Sequence, residues 1–108
     1  MKIPTEGKLL RIFIGEQDKW NKVPLYEAIV MLARKECLAG ATVVKGFMGF
    51  GRKSHMHTAK ILSLSEDLPI IIEIVDSEDK ITKFLPKLDE MVKEGLITLE
   101  KANVMVYR

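Results

Sequence analysis

Between positions 45 and 60 the chain reads Lys-Gly-Phe-Met-Gly-Phe-Gly-Arg-Lys-Ser-His-Met-His-Thr-Ala-Lys. Glycines 46, 49 and 51, Phe47 and Phe50, four cationic side chains and two imidazoles fall together with no carboxylate among them. A glycine has no Cβ, so backbone N–H groups can close on an anion. Arg52 and Lys53 follow at once, a planar fork and a point charge of the kind that grips phosphate. The Gly-x-x-Gly-x-Gly spacing is neither a P-loop nor a dinucleotide fingerprint. Spacing by itself therefore leaves two readings open, a phosphate grip and a flexible basic hairpin.

Other chemistry-bearing residues are sparser. His55 and His57 flank Met56 and would share one side of an extended segment, but two imidazoles are fewer ligands than a metal site needs. Glu16, Asp18 and Glu27 gather near the start of the first expected helix. They offer acid–base chemistry or ion pairs with Lys19 and Lys22, and a solvated loop is the simpler reading. No serine or histidine stands near them to complete a nucleophilic set. Cys37 reads as packing late in that helix. Trp20, in a polar stretch, is an interface anchor, a surface for stacking a base, or a cap over the core. Met48 and Met56 read as gap-filling residues.

The bulk properties narrow the field. A chain of 108 residues with 47% apolar and 30% charged residues has the size and composition of one folded domain, spanning 1–108. A net charge of +2 gives no support to general nucleic-acid binding, so any attraction for anions is local. The lone Cys37 excludes an internal disulfide and a cysteine metal cage. No segment resembles a signal peptide or reaches membrane-spanning length, so a soluble cytoplasmic domain without membrane insertion is expected.

Elements that would position these residues follow from periodicity. Lys8–Ile14 predicts a strand. Pro24 suits the first position of a helix, and Leu25, Ala28, Ile29, Leu32 and Ala39 recur at helical spacing until Gly40. Thr42–Phe50 predicts a second strand weakened by Gly46, and Leu68–Val75 a third. Asp76 or Ser77 caps a second helix with the stripe Ile81, Phe84, Leu85, Leu88, Met91 and Val92, with a kink or break expected at Pro86 and closure at Gly95. Ile97–Tyr107 predicts a fourth strand. The order β-α-β-β-α-β predicts an α+β ferredoxin-like plait, a four-stranded antiparallel sheet in order 4-1-3-2 with two helices on one face.

Alternation then divides the sheet. Leu10, Ile12, Ile14, Ile70, Ile72 and Ile74 face the helices. Leu9, Arg11, Phe13, Ile71, Glu73, Val75, Val43, Lys45 and Phe47 face away, with Glu73 between Arg11 and Lys45. A half-exposed sheet carrying weak ion pairs is one reading of that face. A face buried in a ring of three subunits is the other, and the apolar content favours it.

Gly40-Ala41-Thr42-Val43, Lys45-Gly46-Phe47, Gly49-Phe50-Gly51-Arg52 and Ile72-Glu73-Ile74-Val75 resemble the PII nitrogen-regulatory signalling proteins, ferredoxin-like homotrimers that bind adenine nucleotides between subunits. Pro24-Leu25-Tyr26-Glu27-Ala28, Leu38–Thr42, Gly49-Phe50-Gly51, Leu64–Pro69 and Phe84–Met91 resemble a PII-like family of uncharacterised function, over nearly the whole chain from Lys8 to Tyr107. The resemblance implies that Thr42 and Val75 lie beside an adenine. It implies that Gly49, Phe50, Gly51 and Arg52 lie on the phosphate side, where Lys53 adds its point charge, and that Arg108 reaches a neighbouring subunit's nucleotide. Two departures qualify the match. One residue is added between Thr42 and Gly49, which requires a bulge or shifted register. The Thr-Gly-x-x-Gly-Asp-Gly-Lys loop that follows the second PII helix is absent, so ADP or AMP is expected in preference to ATP with its metal, and no tightly bound metal.

The resulting expectation is a non-enzymatic homotrimeric regulator that binds an adenine nucleotide and answers through loop 49–60, acting on a target protein the sequence does not name. Two alternatives stand beside it: a metal-handling protein or enzyme using the same cleft, and a trimeric adaptor with no small ligand.

Overall fold

The computed structural model describes residues 6–52, 56–58 and 67–108. The chain forms β1 (Glu6–Gly15), β2 (Lys19–Trp20), β3 (Val23–Pro24), α1 (Leu25–Lys35), β4 (Thr42–Lys45), β5 (Met48–Gly49), β6 (His57–Thr58), β7 (Pro69–Asp76), α2 (Glu78–Met91) and β8 (Leu96–Asn103). Four strands make an antiparallel sheet in the order β4-β7-β1-β8, while β2–β3 and β5–β6 are separate two-stranded ribbons. With the four strands of the main sheet numbered alone, this is the order 4-1-3-2 of the ferredoxin-like plait.

Period-two patterning fixes the centre of the sheet. Leu10, Ile12 and Ile14 lie opposite Ile74, Ile72 and Ile70, and all six are buried. They share one core with Leu25, Ile29 and Ala33 of α1 and Ile81, Phe84, Leu88 and Met91 of α2, which puts both helices on that face. A side chain of this size contributes about 1.5–3 kcal/mol when fully buried.

The helix ends differ from the sequence reading in instructive ways. Pro24 is the N-cap of α1 rather than its first residue, with ψ at 130°. The first N–H, from Leu25, is taken by the Asp18 carbonyl at 2.7 Å. That loop carries the β2–β3 ribbon, where Asn21 and Lys22 both adopt positive φ (49° and 70°), the turn that suits a two-residue hairpin. The helix stops at Lys35, five residues before Gly40. Cys37 turns the chain at φ 61°, its N–H reaching the Arg34 carbonyl and that of Leu38 reaching Ala33. This is a Schellman closure with cysteine in the place glycine usually takes, so Cys37 is exposed and outside the helix rather than packed within it.

In α2, Ser77 accepts the Lys80 N–H at 3.3 Å, and Glu78 and Asp79 place negative charge in the first turn. The helix runs unbroken through Pro86 to Met91, contrary to the expected break. Packing of Phe84 and Leu88, both buried on either side of the proline, outweighs the lost hydrogen bond. Gly95 lies four positions past the helix, at the turn into β8, with φ 152°. The last strand ends at Asn103, earlier than expected.

The second strand is also shorter. It ends at Lys45, the Gly46 N–H bonds the Pro69 carbonyl at 2.8 Å, and Met48–Gly49 leaves the sheet to pair with β6. Its register moves the expected faces by one residue. Thr42 lies opposite Glu73 and Val44 opposite Ile71, so these two share the open face, while Val43 and Lys45 align with Ile72 and Ile70. Glu73 therefore does not sit between Arg11 and Lys45.

Candidate functional site

The open sheet face carries a chain of charges across three strands. Arg11 Nε donates to Glu73 at 2.7 Å and its Nη1 to Glu100 of β8 at 2.7 Å. The hydrogen bond to Glu73 holds the Arg11 guanidinium above its ordinary value. Around these charges stand Leu9, Phe13, Ile71, Val75 and Val44, none of them buried. Lys45, placed beside Glu73 by the sequence reading, instead pairs with Glu16 at 2.6 Å. Asp18 is also structural, its carboxylate accepting the Gly15 N–H at 3.0 Å.

At one end of this face lies a cleft of about 630 Å³, within the range of small-molecule sites. Its floor is Leu9, Glu73 and Val75; one wall is the segment 39–42, the other the segment 102–107. The lining is mainly apolar, and Glu73 is its one charged residue among the described residues. A planar heterocycle suits such a surface; a free phosphate does not.

The 39–42 wall is held by Asp76, a residue the sequence reading treated only as a possible helix cap. It is 2% exposed, its Oδ2 accepting the Ala39 N–H at 2.9 Å and its Oδ1 the Ser77 N–H at 2.6 Å. From the other side the Tyr107 hydroxyl donates to the Ala39 carbonyl at 2.6 Å. Tyr107 was read as part of the fourth strand, and a contact 68 positions away leaves no local signal in the sequence.

Of the residues singled out as a nucleotide site, Thr42 and Val75 meet in this cleft. Gly49 does not; it lies at the far end of β4, where a Cβ would meet the Pro69 ring at 3.2 Å. Phe50, Gly51 and Arg52 follow it, all exposed. Thr42 and Gly46 are four residues apart on an extended chain, roughly 13 Å, and Gly49 packs on the same Pro69 ring that Gly46 approaches, away from Thr42. Arg108 is exposed and follows Tyr107 without lining the cleft. Lys53 and His55 lie outside the described residues. Trp20 is half-buried and packs against the core, the cap among its possible roles. Among the described residues no three metal-ligating side chains come together, and no helix is long and apolar enough to cross a membrane.

Comparison with known proteins gives three findings. Residues 7–104 match the family DUF190, described as "Uncharacterized ACR". The chain is 39% identical over 100 residues to a UPF0166 protein of Methanocaldococcus jannaschii, covering 92% of each, and 37% identical over 101 residues to a UPF0166 protein of Aquifex aeolicus, covering 94% of this chain and 95% of that one. Among solved structures it resembles CPII, a nitrogen regulatory PII-like protein from Thiomonas intermedia K12 bound to ADP, AMP and bicarbonate, with a TM-score of 0.70 at 19% identity over 92% of this chain and 88% of that one.

Proposed function

The chain belongs to the DUF190 family, and from its fold and its apolar cleft we propose that it is a PII-like regulatory protein that binds an adenine nucleotide at the boundaries of a homotrimer and catalyses no reaction on it. The observation that carries this reading is the division of the site. The cleft beside Thr42 and Val75 is apolar and holds no cation among its lining residues. The cationic, glycine-rich run from Gly49 to Arg52 stands at the opposite end of β4. A ligand with a flat apolar head and an anionic tail would meet both most readily where the end of one copy stands against the cleft of the next. The shared fold with a PII-like protein bound to ADP and AMP supports the ligand class. The half-exposed apolar face around Arg11 supports the assembly, since paired charges there would fix the register of subunits.

In this reading Thr42 and Val75 border the base. Gly49, Phe50, Gly51, Arg52 and Lys53 serve the phosphates, with Arg108 reaching across the boundary. Loop 49–60 is the element that changes state and meets a target protein. The connection from α2 to β8 is only residues 92–95, too short for a second phosphate loop, which favours ADP or AMP over ATP with its metal.

Calorimetric titration with ADP, AMP and ATP tests the proposal. It predicts about one nucleotide per chain, with Arg52→Ala weakening binding by about 10- to 100-fold, the worth of a charge-assisted hydrogen bond. No heat of binding from any of the three nucleotides would overturn it.

A further inference from the structure

Ala39 is gripped from two sides by bonds of unequal permanence. Asp76, 2% exposed, holds its N–H at 2.9 Å. A buried carboxylate stripped of a partner is costly, so that bond stays made. The Tyr107 hydroxyl holds the Ala39 carbonyl at 2.6 Å, but Tyr107 is 47% exposed. Water replaces such a bond at little cost. The segment that follows β8 has no regular structure, and Tyr107 to Ala39 is the tie that closes it over the cleft. Between that tie and the end of β8 stand Met105 and Val106, 88% and 60% exposed on the cleft wall.

We propose that residues 104–107 are a strap over the cleft, latched to Ala39 by the Tyr107 hydroxyl, and that an occupant of the cleft tightens it by giving Met105 and Val106 an apolar surface to cover. Asp76 is the fixed jaw, setting where Ala39 stands. Tyr107 is the releasable one. Burial of two apolar side chains supplies the force for closure. The strap thus reports occupancy at the base end of the site, separately from loop 49–60 at the phosphate end. That an adenine nucleotide is the occupant rests on the preceding proposal; the latch does not.

The test is backbone ¹⁵N relaxation at residues 104–107 in the wild type and Tyr107→Phe, first without ligand and then with saturating ADP. Phenylalanine keeps the ring and removes only the donor. Without ligand, order parameters near about 0.8 in the wild type should fall below about 0.6 in Tyr107→Phe, the difference between an ordered and a mobile backbone. With ADP the wild-type values rise further, and Tyr107→Phe binds about 2- to 10-fold more weakly. Equal order parameters in the two ligand-free proteins would overturn the latch. ADP binding without any change at 104–107 would overturn the coupling. Should ADP bind neither protein, the nucleotide reading fails and the ligand-free comparison alone decides the latch.

Discussion

Individual residues in this protein are constrained by backbone approach as much as by side-chain chemistry. Gly95 is the clearest case: at φ 152°, an added Cβ would lie 2.6 Å from the Phe13 carbonyl oxygen and 3.1 Å from Val92. Gly95→Ala should cost about 1–3 kcal/mol in chemical denaturation, from strain and from the clash together. Gly51 is the opposite case, with nothing among the described residues within 4 Å of its would-be Cβ. Gly51→Ala should leave the midpoint within about 0.5 kcal/mol of wild type. Any loss of nucleotide affinity in that variant then reports on the site rather than on folding. Through family likeness the residue-level reading of the sequence expected Thr42 and Val75 beside an adenine, and both line one cleft of the structure. It missed Asp76 and Tyr107 because their roles come from where the chain folds back, which residue type and spacing do not encode.

The elements were legible in proportion to how completely one face is buried. Strands β1 and β7 alternate Leu or Ile on the core side with mixed residues outside, so their register could be read from the sequence. The edge strand β4 is exposed along its whole length, and nothing in Thr-Val-Val-Lys distinguishes its two faces. Its register, and with it the position of Lys45, could not be read from the pattern. Pro86 misled for a related reason. A proline inside a helix costs on the order of 3 kcal/mol, yet the buried flanks of α2 keep the helix whole. The cost is still borne, so Pro86→Ala should raise stability by about 1–3 kcal/mol, read as a higher denaturation midpoint. A variant no more stable than wild type would mean the helix had already adapted to the ring.

For the whole molecule, the question is whether the open sheet face meets water or another copy. Arg11, bridging Glu73 and Glu100, separates the two cases. On a solvated face this bridge contributes little. At a subunit boundary, Arg11→Met leaves two carboxylates desolvated without a partner, a strongly unfavourable arrangement. The predicted result is a shift of subunit dissociation to a protein concentration at least about tenfold higher, measured by light scattering after size separation, with the monomer still folded. The effect should not vary between mildly acid and mildly alkaline pH. A cation whose folded value is raised contributes fully below its unfolded value and loses that contribution only as pH climbs through the raised one, for a guanidinium far above the alkaline pH tested.

Gly46 and Gly49 both pack closely against the ring of Pro69. A Cβ at Gly46 would meet the Pro69 ring at 2.9 Å and one at Gly49 would meet it at 3.2 Å, so two glycines bear on one side chain. Neither glycine has a rotamer to change, and the pyrrolidine ring has almost none. Pro69 is therefore the place where the chain leaving β4 is most closely fitted, and a side chain added at either glycine would displace the ring or the backbone that goes on to Phe50 and Arg52.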